Sequence, residues 1–130
     1  MNKCYRILHL DDNPIFTNSI DYLFADMDIY YHQVKNVAEA TEFLSTAYQK
    51  GELPNLFICD LMLENDWDST TGEKFIKEIY DLYHNDLKIM VLSSRCDREI
   101  IKELDHYIDC YQVKMFDEEE FRETINNLLN

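Results

Sequence analysis

Leu56-Phe57-Ile58-Cys59-Asp60 decides how this chain is read: four apolar residues run without a break into one carboxylate. Turn residues precede the run at Pro54-Asn55, and the acid-rich segment Leu61 to Thr71 follows it. A short apolar run bounded in this way reads as a strand covered on both faces. Such strands belong to parallel sheets sandwiched by helices, where the chemistry sits just beyond the strands' carboxyl ends. Asp60 therefore stands where a working carboxylate is expected.

The same pattern recurs on either side. Tyr5 to Leu10 is a first apolar strand ending in Asp11-Asp12. Asn13-Pro14 then opens a helix, asparagine as its N-cap and proline in its first turn. Phe16, Ile20, Leu23, Phe24 and Met27 fall on one face at helical spacing. Ile29 to Val34 is a second, more polar strand suited to a sheet edge. Asn36 caps a second helix with the stripe Val37, Ala40, Leu44, Ala47 and Tyr48, and Gly51 stands where a left-handed residue closes a helix. A long loop from Glu64 to Gly72 leads to a third helix carrying Phe75, Ile76, Ile79 and Tyr83. Leu87 to Leu92 is a fourth strand, ending in Ser93-Ser94. Asp97 to His106 is a fourth helix, with Ile100, Ile101 and Leu104 inward. Ile108 to Val113 is a fifth strand, followed at once by Lys114, and Asp117 begins a last helix presenting Phe121, Ile125, Leu128 and Leu129. Five strand–helix alternations predict a parallel α/β sheet with helices on both faces, and right-handed crossovers put every strand's carboxyl end on one rim.

Composition narrows the chemistry. The 130 residues suffice for one domain with a real core and not for two. Twelve Lys and Arg against 26 Asp and Glu leave a net charge of −14, which disfavours nucleic acid and anionic lipid as partners and suits a cation. No signal peptide or membrane span is evident. The four cysteines, Cys4, Cys59, Cys96 and Cys110, are scattered without zinc spacing and read as reduced thiols of a cytoplasmic protein.

Four strand ends carry chemistry: Asp11 and Asp12, Asp60, Ser93, and Lys114. Two adjacent acids exceed what a helix cap needs. Three converging carboxylates repel one another, and a hard divalent cation with oxygen ligands relieves that repulsion; magnesium takes one or two carboxylates, keeps several waters and pairs with a phosphoryl oxygen. The Ser93 hydroxyl and the Lys114 ammonium add two donors for an anionic group built on Asp60.

With these residues the chain resembles the receiver domains of two-component response regulators over essentially its whole length. The matching segments are Leu10-Asp11-Asp12-Asn13-Pro14, Phe57-Ile58-Cys59-Asp60-Leu61-Met62, Val91-Leu92-Ser93-Ser94 and Tyr111-Gln112-Val113-Lys114. The resemblance implies a flavodoxin-like (βα)5 fold, doubly wound, with strand order 2-1-3-4-5. It implies that residues 1–130 form one receiver domain without an output domain. Asp60 would accept a phosphoryl group from a histidine kinase or histidine phosphotransfer protein, in a phosphoacceptor and not an enzyme acting on others. Asp11, Asp12, Asp60 and the backbone carbonyl of Met62 would ligate Mg2+, and Ser93 and Lys114 would bind phosphoryl oxygens. Tyr111 would switch with Ser93, exposing the helix 4–strand 5–helix 5 face to a downstream protein. Met62 and Arg95 would set the lifetime of the phosphorylated state, and an apolar Met62, unable to orient water, implies slow self-dephosphorylation.

Three features depart from the family pattern. Met115 follows the lysine where proline is usual, the loop after Asp60 is long and acidic, and Tyr107 stands where glycine usually precedes the fifth strand. Met115 and the altered loop motivate an alternative, a pseudo-receiver that serves as an interaction scaffold without phosphorylation. An aspartyl-nucleophile phosphatase fits less well, because Asp11-Asp12-Asn13 lacks the Asp-x-Asp spacing, and no glycine-rich phosphate loop is present.

Overall fold

The computed structural model describes residues 4–63, 70–95 and 97–130. Strands and helices alternate as β1 (Tyr5–Leu10), α1 (Pro14–Phe24), β2 (Ile29–Val34), α2 (Val37–Gln49), β3 (Leu56–Cys59), α3 (Thr70–Tyr83), β4 (Lys88–Ser93), α4 (Arg98–Leu104), β5 (Cys110–Val113) and α5 (Glu118–Leu129), with a 3₁₀ turn at Asp105–Tyr107. The five strands form one sheet in the order β2-β1-β3-β4-β5, every pairing parallel. The expected doubly wound architecture is the one observed.

Side-chain alternation along each strand divides the core in two. Leu8, Leu10, Phe57, Cys59, Ile89 and Val91 point to one face and pack under Leu44, Ile76, Ile79 and Leu104 of α2, α3 and α4. Ile7, Leu56, Ile58, Met90 and Leu92 point to the other and pack under Ile20, Phe24, Phe121 and Ile125 of α1 and α5. Most of these side chains are fully buried, and each contributes about 1.5–3 kcal/mol relative to exposure.

The helix starts obey local chemistry. Asn13 accepts from the Ile15 and Phe16 amides, Asn36 from Glu39, Asp97 from Glu99, and Asp117 from Glu119 and Glu120. Gly51 has φ +68°, the left-handed conformation expected after α2.

Three boundaries differ from the sequence expectation. Gly72 lies inside α3 and not in the preceding loop; a Cβ there would sit 2.5 Å from the Leu61 carbonyl oxygen and 2.7 Å from its Cα. Glycine lets the start of α3 lean on the backbone immediately after Asp60. The fifth strand begins at Cys110 and not at Ile108. The Asp109 side chain takes the Ile89 amide at 2.8 Å while the Asp109 amide donates to the Ile89 carbonyl, so a side chain replaces part of the ladder. The fourth helix ends at Leu104 and tightens into the 3₁₀ turn, which carries Tyr107 without calling on glycine. The acidic loop 64–69, with Trp67, and Cys96 lie outside the described residues.

Candidate functional site

Strand register builds the site. Leu10 pairs with Cys59 across β1 and β3, and Ser93 with Val113 across β4 and β5. The ladder then runs one residue further: the Asp60 amide donates to the Leu10 carbonyl at 3.0 Å and the Lys114 amide to the Ser93 carbonyl at 2.9 Å. Asp11, Asp60 and Lys114 therefore leave the sheet at one level on the same rim.

Asp11, Asp12 and Asp60 each offer a carboxylate oxygen, and these oxygens lie within 4.8 Å of one another. Asp11 and Asp60 are buried while Asp12 is exposed. The Lys114 ammonium lies between the two buried acids, 2.8 Å from Asp11 Oδ2 as an ion pair and 3.0 Å from Asp60 Oδ2 as a hydrogen bond. It also sits 4.5 Å from the centroid of the Phe16 ring, a cation–π contact that covers it. The second carboxylate oxygens are held by backbone: Asp11 Oδ1 accepts from Asn13 at 2.9 Å and Asp60 Oδ1 from Met62 at 3.1 Å.

The peptide bond between Lys114 and Met115 is trans, as are all peptide bonds of the described residues. Without the proline usual in the family, the lysine still reaches both carboxylates.

Ser93 is fully buried at the end of β4, and its hydroxyl accepts from the Arg95 amide at 3.2 Å. It does not cap α4; Asp97 does. The Tyr111 hydroxyl donates to the Arg95 carbonyl at 2.8 Å, and its ring packs against the core under α2–α4. The Arg95 guanidinium pairs with Asp97 at 3.1 Å. The turn between β4 and α4 thus links Ser93, Arg95 and Tyr111 through its own backbone. Met62 is half-buried and contributes its amide to Asp60.

Burial pushes the Asp60 carboxyl above its ordinary value; Lys114 opposes this, and the Asp11 charge adds to it. For Lys114, burial works against the ammonium, but contacts with Asp11 and Asp60 outweigh it and raise its pKa. Three carboxylates against one ammonium leave two negative charges in excess, all on hard oxygen ligands. That donor set fits a divalent cation such as Mg2+.

Two neighbours of the site escape a reading by motif. His9 is completely buried on β1, its Nε2 3.8 Å from Asp11 Oδ2 and its Nδ1 hydrogen-bonded to the Tyr31 hydroxyl. Phe16 reads as one more member of an apolar stripe, yet its half-buried ring faces the Lys114 ammonium. The signal for His9 was available: it stands two residues before Asp11 on a strand, hence on the same face.

No protein-family model and no curated protein matches the chain. Solved structures match it in fold. The signal receiver domain of an HD domain-containing protein from Pseudomonas fluorescens superposes with a TM-score of 0.82 at 16% identity, covering 98% of this chain and 95% of that one. A response regulator from Thermotoga maritima gives 0.80 at 19% identity, covering 98% of both chains. A response regulator receiver domain protein from Methanospirillum hungatei gives 0.80 at 18% identity, covering 98% and 94%. At such identities the likeness is one of fold. With its strand order and its agreement over nearly the whole chain, this protein has the fold of the response-regulator receiver domains.

Proposed function

We propose that this protein is a phosphoacceptor of a two-component or phosphorelay system, with Asp60 taking a phosphoryl group from a phosphohistidine on a histidine kinase or phosphotransfer protein. The observation that carries this reading is the Lys114 ammonium held between two buried carboxylates at the sheet rim, 2.8 Å from Asp11 and 3.0 Å from Asp60.

In the reaction an Asp60 carboxylate oxygen attacks phosphorus, the phosphorus–nitrogen bond breaks, and its electron pair returns to the donor's imidazole. The product is an acyl phosphate on Asp60. Asp11, Asp12, Asp60 and the Met62 carbonyl would hold Mg2+, which when bound neutralises charge on the carboxylates and the phosphoryl oxygens. Lys114 moves from the carboxylates onto a phosphoryl oxygen, and the Ser93 hydroxyl turns to a second one. Losing its tie to the Ser93 hydroxyl frees the β4–α4 turn, whose Arg95 carbonyl holds Tyr111; the α4–β5–α5 face then changes for a downstream partner.

The rim also supports docking of a donor protein. Ile15 in the first turn of α1 is 82% exposed and Met115, beside Lys114, 91% exposed; Tyr22, two turns along from Ile15, is 83% exposed. Ile15 and Met115, large apolar side chains beside the acidic site, suit a protein surface.

Intact-mass measurement after incubation with Mg2+ and acetyl phosphate tests the reading. The wild type is expected to gain one phosphoryl group and Asp60→Asn none. No gain in the wild type would remove the phosphoacceptor role and leave the interaction-scaffold reading. In the same assay the phosphorylated wild type should decay slowly, because the Met62 side chain cannot orient water, and Met62→Asn should decay several-fold faster. An equal or slower decay in that variant would exclude Met62 as a brake.

A further inference from the structure

Strand alternation puts Ile7, His9 and Asp11 on one face of β1, and β2 lays Tyr31 beside them. His9 is fully buried, edge-on to the Phe16 ring at 6.1 Å and 5.8 Å from the Tyr31 ring. Its Nδ1 hydrogen-bonds the Tyr31 hydroxyl, and its Nε2 has no hydrogen-bond partner but faces Asp11 Oδ2 at 3.8 Å. A buried polar atom without a partner calls for an explanation.

A neutral imidazole carries one N–H. If Nδ1 donated to Tyr31, the Nε2 lone pair would point at a buried carboxylate, a repulsive arrangement in dry surroundings. If the Tyr31 hydroxyl donates to Nδ1, the proton sits on Nε2 and faces Asp11. The second arrangement satisfies Nδ1 and the Tyr31 hydroxyl and turns an N–H toward Asp11 Oδ2, still 3.8 Å away.

We propose that His9 and Tyr31 are positioning residues for Asp11, with the Tyr31 hydroxyl fixing the imidazole so that Nε2–H takes over Asp11 Oδ2 when Lys114 leaves it. Lys114 holds that oxygen at 2.8 Å, and the imidazole stands off. Once the ammonium moves to a phosphoryl oxygen, an approach of about 0.8 Å brings Nε2 to hydrogen-bond distance of about 3 Å. Asp11 then keeps its orientation toward the cation without a second positive charge beside it. Full burial, with the Lys114 ammonium close by, disfavours a charged ring. Outer-shell partners of this kind typically change metal affinity 10–100-fold.

The inference rests on Asp11 being a ligand of the divalent cation, and the test separates the two ideas. The tautomer is read from the imidazole nitrogens by 15N NMR of metal-free protein, and Mg2+ affinity by titration calorimetry. The wild type should show Nε2–H. His9→Leu should weaken Mg2+ about tenfold, Tyr31→Phe should mix the tautomers and weaken Mg2+ less, and His9→Gln, which keeps a donor at the Nε2 place, should recover most of the loss. An Nδ1–H tautomer in the wild type overturns the proposal, as does a folded His9→Leu protein binding Mg2+ within twofold of the wild type. A wild type that binds no Mg2+ counts against the functional reading instead, and the tautomer then decides this one.

Discussion

Lys114→Met is expected to lose about 3–5 kcal/mol of stability at neutral pH in metal-free buffer, and to regain most of it on adding Mg2+. The ammonium is the one cation within ion-pair distance of the buried Asp11 and Asp60 carboxylates among the described residues; the Asp11 side chain is 0% and the Asp60 side chain 5% exposed. Methionine keeps the stem and deletes the charge, which leaves two like charges facing each other in a water-poor site. Asp60 already binds its proton more tightly than an ordinary carboxyl, through burial first and Asp11 second. Without Lys114 this tendency grows, so the folded variant holds a proton that the unfolded chain has released. Its stability therefore rises as pH falls through the Asp60 titration. The wild type behaves differently at the alkaline end. Its Lys114 pKa is raised, so the stabilisation from the ammonium is complete below the ordinary lysine range and fades as pH climbs past it. The variant has no such fade. Urea unfolding of both proteins at pH 5, 7 and about 11.5, with and without Mg2+, reads all three differences; superimposable profiles would mean that the ion pairs contribute nothing. On the proposed phosphoacceptor role, phosphoryl acceptance in the variant should fall by about 10²–10³-fold, since a donor aimed at developing charge is lost.

The site was legible in the sequence because its residues sit at strand ends. Apolar runs gave the strands, alternation with helices gave parallel pairing, and a parallel sheet leaves Asp11, Asp60, Ser93 and Lys114 little choice but to share a rim. What could not be read depends on contacts between elements. Phe16 and Ile20 look alike in a helical stripe, yet one covers an ammonium and the other a core of Ile and Phe. Gly72 reads as a loop residue until the Leu61 backbone is found 2.5 Å from where its Cβ would be. The aim of Lys114 in the absence of a following proline is likewise tertiary: Asp11, Asp60 and the Phe16 ring meet the ammonium with Met at 115. His9 stands at the boundary. Four histidines without metal spacing carry no motif; its place two residues before Asp11 sets one apart, but its burial and its contact with Tyr31 are tertiary.

That burial sets up the second large effect: wild type should lose stability on acidification that His9→Leu keeps. Histidine in the unfolded chain takes a proton near its ordinary 6.5, whereas the native imidazole resists down to about 3, first because burial penalises its charge and then because Lys114 repels it. Below 6.5 the unfolded state therefore binds the extra proton and gains free energy, at about 1.4 kcal/mol per pH unit, or about 2 kcal/mol by pH 5 and about 3 by pH 4. Leucine suits a place lined by the Phe16 and Tyr31 rings, and cannot titrate. Its cost at pH 7 is confined to the Tyr31 hydroxyl, which is half-buried and loses one hydrogen bond worth about 1 kcal/mol. Asp60 pulls the other way on acidification, but it does so in both proteins, so the difference between their curves isolates His9. Parallel curves from pH 7 to 4 would mean that the native imidazole takes up its proton after all, through local opening toward Asp11. Diverging curves would place a neutral ring behind that carboxylate at the pH values where the proposed phosphoryl transfer to Asp60 is to be measured.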